Sequence, residues 1–338
     1  MENKVKTIKD VAKICKVSVS TVSRAFNNYS DISEKTRERI LKMSEEIGYK
    51  PNIVAKSLSS IKNYRLAMLV EDYSEVNPLT YEMLMPFQNM ASNRGYETVL
   101  LSTTSNMQKS HELKKLLSDK QVDGAFIIGL KMNDDYYKQL SNINIPCVLY
   151  DININNEKTS CVGVDNVKGA FMAVEHLIKL RHKKIGFING HKNAQVSFER
   201  LDGYYLALNR YDIPVDNKLI VNGNFSFVDA QIAVKELLGK NKDITAIFCA
   251  SDLMAAGAIS KLQELGYSLP DDLSIIGFDD ENISQYISPK LTTIRQHRDK
   301  IGETAANVLI NIISGQSLSR NVIEPELIIR ESCKELNT

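Results

Sequence analysis

Between Val17 and Asn28 the chain reads VSVSTVSRAFNN. Small hydroxyl residues, two apolar anchors and one arginine share this stretch. Hydroxyl and guanidinium groups at exposed positions of a helix suit base edges and phosphate oxygens. At helical spacing Val22 and Phe26 turn toward a core, while Val19, Ser20, Ser23 and Arg24 turn outward. Hydroxyl residues in short helices also serve as caps and backbone partners. The neighbouring elements therefore decide what this face can do.

Thr7-Ile8-Lys9-Asp10 has the pattern of a capping box, and Ile8, Val11, Ala12 and Cys15 follow at helical spacing. Lys16-Val17 makes a tight turn, and Ser18 caps the helix that carries Arg24. A third helix starts at the cap Ser33, runs through Ile40, Met43 and Ile47, and stops at Gly48. Pro51 forbids simple continuation. Asn52 then caps a short helix, Ile53 to Ser59, with Ala55 and Leu58 on one face. Two short helices joined by a tight turn are a helix-turn-helix, whose second helix presents its first residues to the major groove.

Charge agrees with this division. The chain of 338 residues has a net charge of +1, yet residues 1–62 carry 13 basic against 7 acidic side chains. The remainder carries 29 basic against 34 acidic, so a basic head precedes a mildly acidic body. No run of 18 apolar residues is present, and the start, MENKVKTIKD, has no apolar signal region. A cytoplasmic protein without a membrane partner is expected. Cys15, Cys147, Cys161, Cys249 and Cys333 lie far apart, without zinc spacing, and read as reduced thiols. There is no G-x-G-x-x-G, P-loop or H-E-x-x-H, and the five histidines are scattered. Neither an enzyme, nor a cofactor, nor a metal is expected.

From Arg65 the pattern alternates strand and helix. Expected strands are Arg65–Val70, Thr98–Ser102, Gly124–Gly129, Cys147–Asp151 and Cys161–Val164, then Lys184–Asn189, Leu219–Asn222, Ala246–Ala250, Ser274–Phe278 and Thr292–Gln296. Intervening helices of about a dozen residues mark βαβ units, and some ten strands argue for two parallel sheets.

The head resembles the LacI/GalR family of bacterial transcription regulators. The likeness rests on TIKDVAKICKVSVSTVSRAFNN, DISEKTRERI and EIGYKPNIVAKSL in one register. It implies that Val19 and Ser20 vary with operator sequence, that Arg24 faces the bases, and that Thr7, Thr21, Ser23, Asn27 and Ser33 meet phosphates. Ser18 and Asn52 are counted with this surface. Leu58 matches the hinge-helix leucine that wedges into the minor groove, with Ala55 on the same face. The family commonly has Ala-Gly where this chain has Cys15-Lys16. A left-handed Lys16 costs of order 1 kcal/mol relative to glycine.

The body resembles the family's periplasmic-binding-protein-like effector domain, to about Arg330. The fold class implied is an all-α helix-turn-helix head on an α/β body of two doubly wound lobes, with a ligand cleft at the strand carboxyl ends. The expected division is a head at 1–51, a hinge helix and linker at 52–64, and an effector-binding and dimerisation domain at 65–338. Its N-lobe takes about 65–164 and 292–324, its C-lobe about 165–291 and 325–338. The resemblance places Arg200 (R-x-x-G), Asp279, the cleft-edge Asp151, the covering aromatic Phe225, and Ser251 and Asp252 at the effector. It also places Gln296 on a crossing strand, where it contacts ligand or links the lobes. Asp252 has an alternative reading as the cap of a helix Leu253–Leu265. Asn77-Pro78-Leu79-Thr80 lacks the aromatic pair usual after Asn-Pro, which favours a sugar over a stacked purine.

The implied function is a homodimeric, sequence-specific regulator, most simply a repressor, on near-palindromic operator DNA, tuned by a small molecule such as a sugar. No leucine heptad follows the last strand, which points to a dimer rather than a coiled-coil tetramer. The alternative is a transport-type solute-binding protein with no role on DNA.

Overall fold

The computed structural model describes residues 7–26, 31–49, 63–71, 78–316 and 321–336, with no side-chain description for 78–80. The chain divides into two compact units, Met1–Tyr64 and Arg65–Thr338.

The first unit holds α1 (Ile8–Ile14), α2 (Val19–Phe26) and α3 (Glu34–Glu46). Each begins where a short polar side chain satisfies a free helix-end N–H or its neighbour. Asp10 accepts from both the backbone N–H and the hydroxyl of Thr7. Ser18 accepts from the Thr21 N–H at 3.1 Å, and Ser33 from the Thr36 N–H at 3.3 Å. Val11, Ala12, Cys15, Val22, Ala25 and Ile40 make the core. Phe26 lies at its margin, edge-on to Tyr49 with centroids 5.7 Å apart. Lys16 has φ 50°, so the turn between α1 and α2 holds a lysine in the left-handed region.

The second unit contains two parallel sheets. In the first, β1 (Arg65–Glu71), β2 (Glu97–Thr103), β3 (Gly124–Ile128), β4 (Cys147–Tyr150), β5 (Thr159–Val164) and β11 (Asn321–Ile323) lie in the order β11-β5-β4-β3-β1-β2. In the second, β6 (Ile185–Asn189), β7 (Ile220–Asn222), β8 (Ala246–Cys249) and β9 (Ser274–Ile276) lie in the order β7-β6-β8-β9. β10 (Thr293–Arg295) pairs antiparallel with β12 (Glu326–Ile328). Single bridges, Ile276 to Thr292 and Asp279 to Arg295, join this ribbon to the end of β9.

All ten strands expected from sequence are present, with bounds shifted by up to two residues. Two further ones, β11 and β12, were not foreseen. The helices are α4 (Pro78–Asn93), α5 (Ser105–Gln108), α6 (Leu113–Asp119), α7 (Asp135–Leu140), α8 (Asn166–Lys179), α9 (Gln195–Arg210), α10 (Phe227–Lys240), α11 (Asp252–Glu264), α12 (Ile283–Tyr286) and α13 (Arg298–Ile313). Close helix packing requires glycine at several crossings, two of which adjoin the cleft helices. A Cβ on Gly203 would lie 2.3 Å from the Val167 carbonyl, and one on Gly302 would lie 2.2 Å from that of Met83. Each lobe has its own apolar core. In the second, Phe187 stacks on Phe248 at 4.8 Å and on Tyr204 at 5.2 Å.

Strand order reverses between β1 and β3 in one sheet and between β6 and β8 in the other. Loops leaving such strands diverge and open a crevice at their carboxyl ends.

Candidate nucleic-acid face and effector cleft

On α2 the buried residues are Val22 and Ala25. Val19 is 42% exposed, Ser20 and Arg24 are exposed, and Thr21 and Ser23 are half-buried. The outward face expected from spacing is therefore the one found. The hydroxyl of Ser18 lies 2.7 Å from that of Ser20 and 2.8 Å from that of Thr21. Arg24 Nη1 donates to Asp31 Oδ2 at 2.8 Å, an exposed pair of small net stability. An oligonucleotide can displace such a pair without breaking the core. Thr7 and Ser33 stand at the starts of α1 and α3, where helix-end amides favour anions. Asn27, Asn52, Ala55 and Leu58 lie outside the described residues, as does Asn77 of the Asn-Pro stretch.

In the second unit, Arg200 is the centre of a buried network. It projects from α9 and is 3% exposed. Its Nε donates to Asn166 Oδ1 at 2.9 Å, and its Nη1 donates to the Ala250 carbonyl at the end of β8. Its Nη2 lies 3.8 Å from Asp279 Oδ1. The guanidinium stacks 3.8 Å above the Phe278 ring, with Phe225 at 5.9 Å. Phe225 takes a left-handed φ of 59° and fills the space beside Gly190, where a Cβ would meet the ring at 2.0 Å.

Asp279 has φ 120° and sits at the join between β9 and the crossing ribbon. Its Oδ1 accepts from Gln296 Nε2 and lies 3.4 Å from Arg298 Nη2. Burial raises its pKa, and the charges of Arg200 and Arg298 oppose the rise. Gln296, in turn, accepts from the Tyr150 hydroxyl at 2.6 Å. Gln296 thus joins the end of β4 to Asp279, the lobe-linking half of its expected reading. Asp151 is buried at the mouth of β4 with φ 56°, and its Oδ1 accepts from the Val164 N–H at 3.3 Å. Burial pushes its carboxyl up to about 7, against the pull of Arg200.

Two residues sit differently. Ser251, not Asp252, caps the helix at this strand end, accepting from the Met254 N–H at 3.2 Å. Asp252 is fully buried, and its oxygens accept from the Thr293 hydroxyl and the Glu281 N–H. It ties α11 to β10, with both oxygens already engaged. Gly277 leaves room for it, since a Cβ there would lie 2.2 Å from Asp252 Oδ1.

Sequence reasoning missed Asn166, Phe278, Tyr150 and Arg298. Phe278 and Tyr150 directly precede the marked Asp279 and Asp151, which was the available signal. Asn166 and Arg298 enter through long-range packing, on Arg200 and Glu82, which spacing does not encode. Direct interlobe bonds complete the frame: Met132 N–H to the Asn193 carbonyl at 2.9 Å, and Asn153 N–H to Gln195 Oε1 at 3.2 Å.

An exposed helix-turn-helix face and a two-lobed α/β body with a charged cleft define a ligand-responsive DNA-binding regulator. Comparison with known proteins gives the family. Residues 7–52 match the model for bacterial regulatory proteins of the lacI family, and 174–333 match the periplasmic binding protein-like domain. The HTH-type transcriptional repressor PurR of Aliivibrio salmonicida is 34% identical over 98% of this chain and 99% of its own. The solved complex of the transcriptional regulator CelR with cellobiose superposes with a TM-score of 0.75 at 28% identity, over 97% of this chain and 99% of that one. The lac repressor dimer bound to operator and the anti-inducer ONPF gives 0.72 at 25% identity, over 98% and 100%. The chain belongs to the LacI family. It is a DNA-binding transcription regulator of that family. Among the described residues no helix is long and apolar enough to cross a membrane.

Proposed function

We propose that this regulator is a cytoplasmic, homodimeric repressor without enzymic activity, reading near-palindromic operator DNA. Its DNA affinity is set by a small molecule, most simply a sugar, held between the lobes. The observation that carries the DNA half is the α2 face, where Val19, Ser20 and Arg24 stand in solvent on a helix whose other side is core. Support comes also from the lac repressor likeness, a dimer on operator, and from the CelR likeness, a regulator with a disaccharide.

The proposed division is a head at 1–51, a hinge and linker at 52–64 and an effector domain at 65–338. The N-lobe takes about 65–164 and 292–324, and the C-lobe about 165–291 and 325–338. Thr7, Ser18, Val19, Ser20, Thr21, Ser23, Arg24, Asn27, Ser33, Asn52, Ala55 and Leu58 serve the DNA. Asp151, Arg200, Phe225, Ser251, Asp279 and Gln296 serve the effector. Asp252 acts there through the β10 anchor rather than by contact.

The mechanism follows from what the cleft residues already do. Arg200, Asp279, Gln296 and Tyr150 bond one another, so a ligand acts only by exchanging these bonds for its own. It shifts the balance of lobe arrangements by its differential affinity for them. Operator DNA must then change effector affinity by the same factor.

The test is operator binding by anisotropy, with and without effector, for the wild type and for Arg200→Ala combined with Asp279→Asn. The double variant should bind DNA but ignore effector. A normal effector response would remove the cleft assignment. The transport-type alternative predicts no specific DNA binding at all.

A further inference from the structure

An acid stands beside the α2 face, where a polyanion docks. Asp31 lies just ahead of the Ser33 cap of α3, and its Oδ2 accepts from Arg24 Nη1 at 2.8 Å. Both side chains are half exposed or more. A pair this wet adds little to stability, so the fold does not account for the carboxylate. Its charge also opposes a phosphate backbone. The head holds a second pair for comparison. Arg37 Nη1 donates to Glu34 Oε2 at 3.3 Å, but that pair lies within one turn of α3. The Arg24 pair instead crosses from α2 to the segment leading into α3, seven residues on. It fixes where the long arginine side chain places its guanidinium.

A guanidinium carries five N–H donors in one plane. Asp31 takes Nη1 and leaves the Nε–Nη2 edge. Two parallel donors fit O6 and N7 of guanine, the contact that identifies that base in the major groove. A phosphate competes for the same donors without regard to sequence. Held on that edge, a phosphate would lie close to the Asp31 carboxylate. Reached by turning Arg24 away, it would leave the carboxylate bare against the DNA backbone. Repulsion attends phosphate contact in both cases, whereas a guanine edge is uncharged. A charge set against the wrong complex raises specificity, which is a difference of affinities.

We propose that Asp31 is a positioning residue for operator recognition. It holds Arg24 for the O6 and N7 edge of a guanine and penalises sequence-independent contact with phosphates. This rests on the reading of α2 as the helix that meets DNA.

The test uses the full chain, the duplex that the wild type enriches from a random library, and an unrelated duplex of the same length. Binding is followed by anisotropy across a range of salt. Asp31→Asn keeps the shape and removes the charge. It should bind the unrelated duplex more tightly, with a salt slope steeper by about one per head. Its preference for the enriched duplex should fall by about tenfold. Replacing guanines singly by 7-deazaguanine, which lacks the N7 acceptor, should weaken the wild type at one guanine per half-site and Asp31→Asn less. Glu34→Gln removes a charge from the same head without touching Arg24, and should leave the preference unchanged. In an Arg24→Ala background, Asp31→Asn should no longer alter the preference. Melting should be unchanged, as for any exposed pair. A preference kept or raised in Asp31→Asn, an equal loss in Glu34→Gln, an equal effect without Arg24, or a loss that merely follows melting would overturn the proposal. The two failures are distinguishable. If the wild type enriches no sequence, the α2 reading itself falls. If Arg24→Ala abolishes enrichment and Asp31→Asn leaves it intact, only the role of Asp31 falls.

Discussion

The two units of this chain hold their polar side chains in opposite ways. On α2 of the head, Arg24 is more than half exposed, and its partner Asp31 is equally wet. In the body, Arg200, Asp279 and Gln296 are each 5% exposed or less and bond to one another. Removing an exposed pair changes little in the fold, because water already solvates both charges. Removing one partner of a buried set leaves an uncompensated charge in a low dielectric. The head therefore offers a preformed surface to a large polyanion. The body offers a closed set of bonds that a small ligand must reorganise. Substitutions on the exposed α2 face should alter affinity without altering stability, and substitutions in the cleft should alter both.

The largest expected effect lies in the cleft. Arg200→Ala should destabilise the body by roughly 3–5 kcal/mol, since Asp279 and Asn166 lose a buried partner. Calorimetric melting of the full chain checks this. A loss under about 1 kcal/mol, the scale of a surface pair, would erase the contrast with the head.

Proton linkage gives the next effect. Burial pushes Asp151 up to about 7; burial, then the Asp279 charge, pushes Glu281 up to about 7. In the unfolded chain such groups ionise near pH 4. Between these values the unfolded state holds fewer protons, so stability should fall as pH rises from about 4 to about 7, then level. At about 1.4 kcal/mol per pK unit, the two groups together represent at most several kcal/mol. Asp151→Asn should flatten part of that slope. A slope unchanged in the variant would show that Asp151 is hydrated and ionised in the folded protein.

Arg24→Ala should cost specific DNA binding about 1–3 kcal/mol, the scale of one base-reading arginine, with melting unchanged. Operator anisotropy alongside a melting curve separates the two. The smallest effect is local: Lys16→Gly should stabilise the head by about 1 kcal/mol or less, relieving the left-handed lysine. A destabilised head would mean that the lysine side chain makes a compensating contact.

How much of this was legible in the sequence follows the same contrast. The three caps and the outward α2 face are local, and residue type with spacing revealed them; the left-handed Lys16 was suggested by the family resemblance, which has glycine at that turn. The ten longer or apolar strands were legible for the same reason. β11 and β12 were not: unlike the equally short β7, β9 and β10, neither contains a fully buried residue, so neither shows a core-facing position to read. In the cleft, the family pattern marked Arg200 and Asp279 and two of their neighbours, Phe225 and Gln296, but not Phe278, Tyr150 or Arg298. Tyr150 meets Gln296 across 146 residues of chain, Phe278 comes beneath Arg200 by packing between distant elements of one lobe, and Arg298 reaches Asp279 from the other lobe. Asp252 shows the limit most clearly. Its sequence neighbourhood suggests a cleft ligand or a helix cap, yet its side chain serves Thr293, 41 residues on.

The most direct test of the regulator reading is selection of binding sites from a random duplex library by the full chain. Wild-type protein should enrich a two-fold symmetric sequence, with affinity falling steeply as salt rises. The Arg24→Ala variant should lose that enrichment while remaining folded. No enriched sequence, or the same sequence enriched by the variant, would contradict the assignment of α2 as the helix that reads DNA.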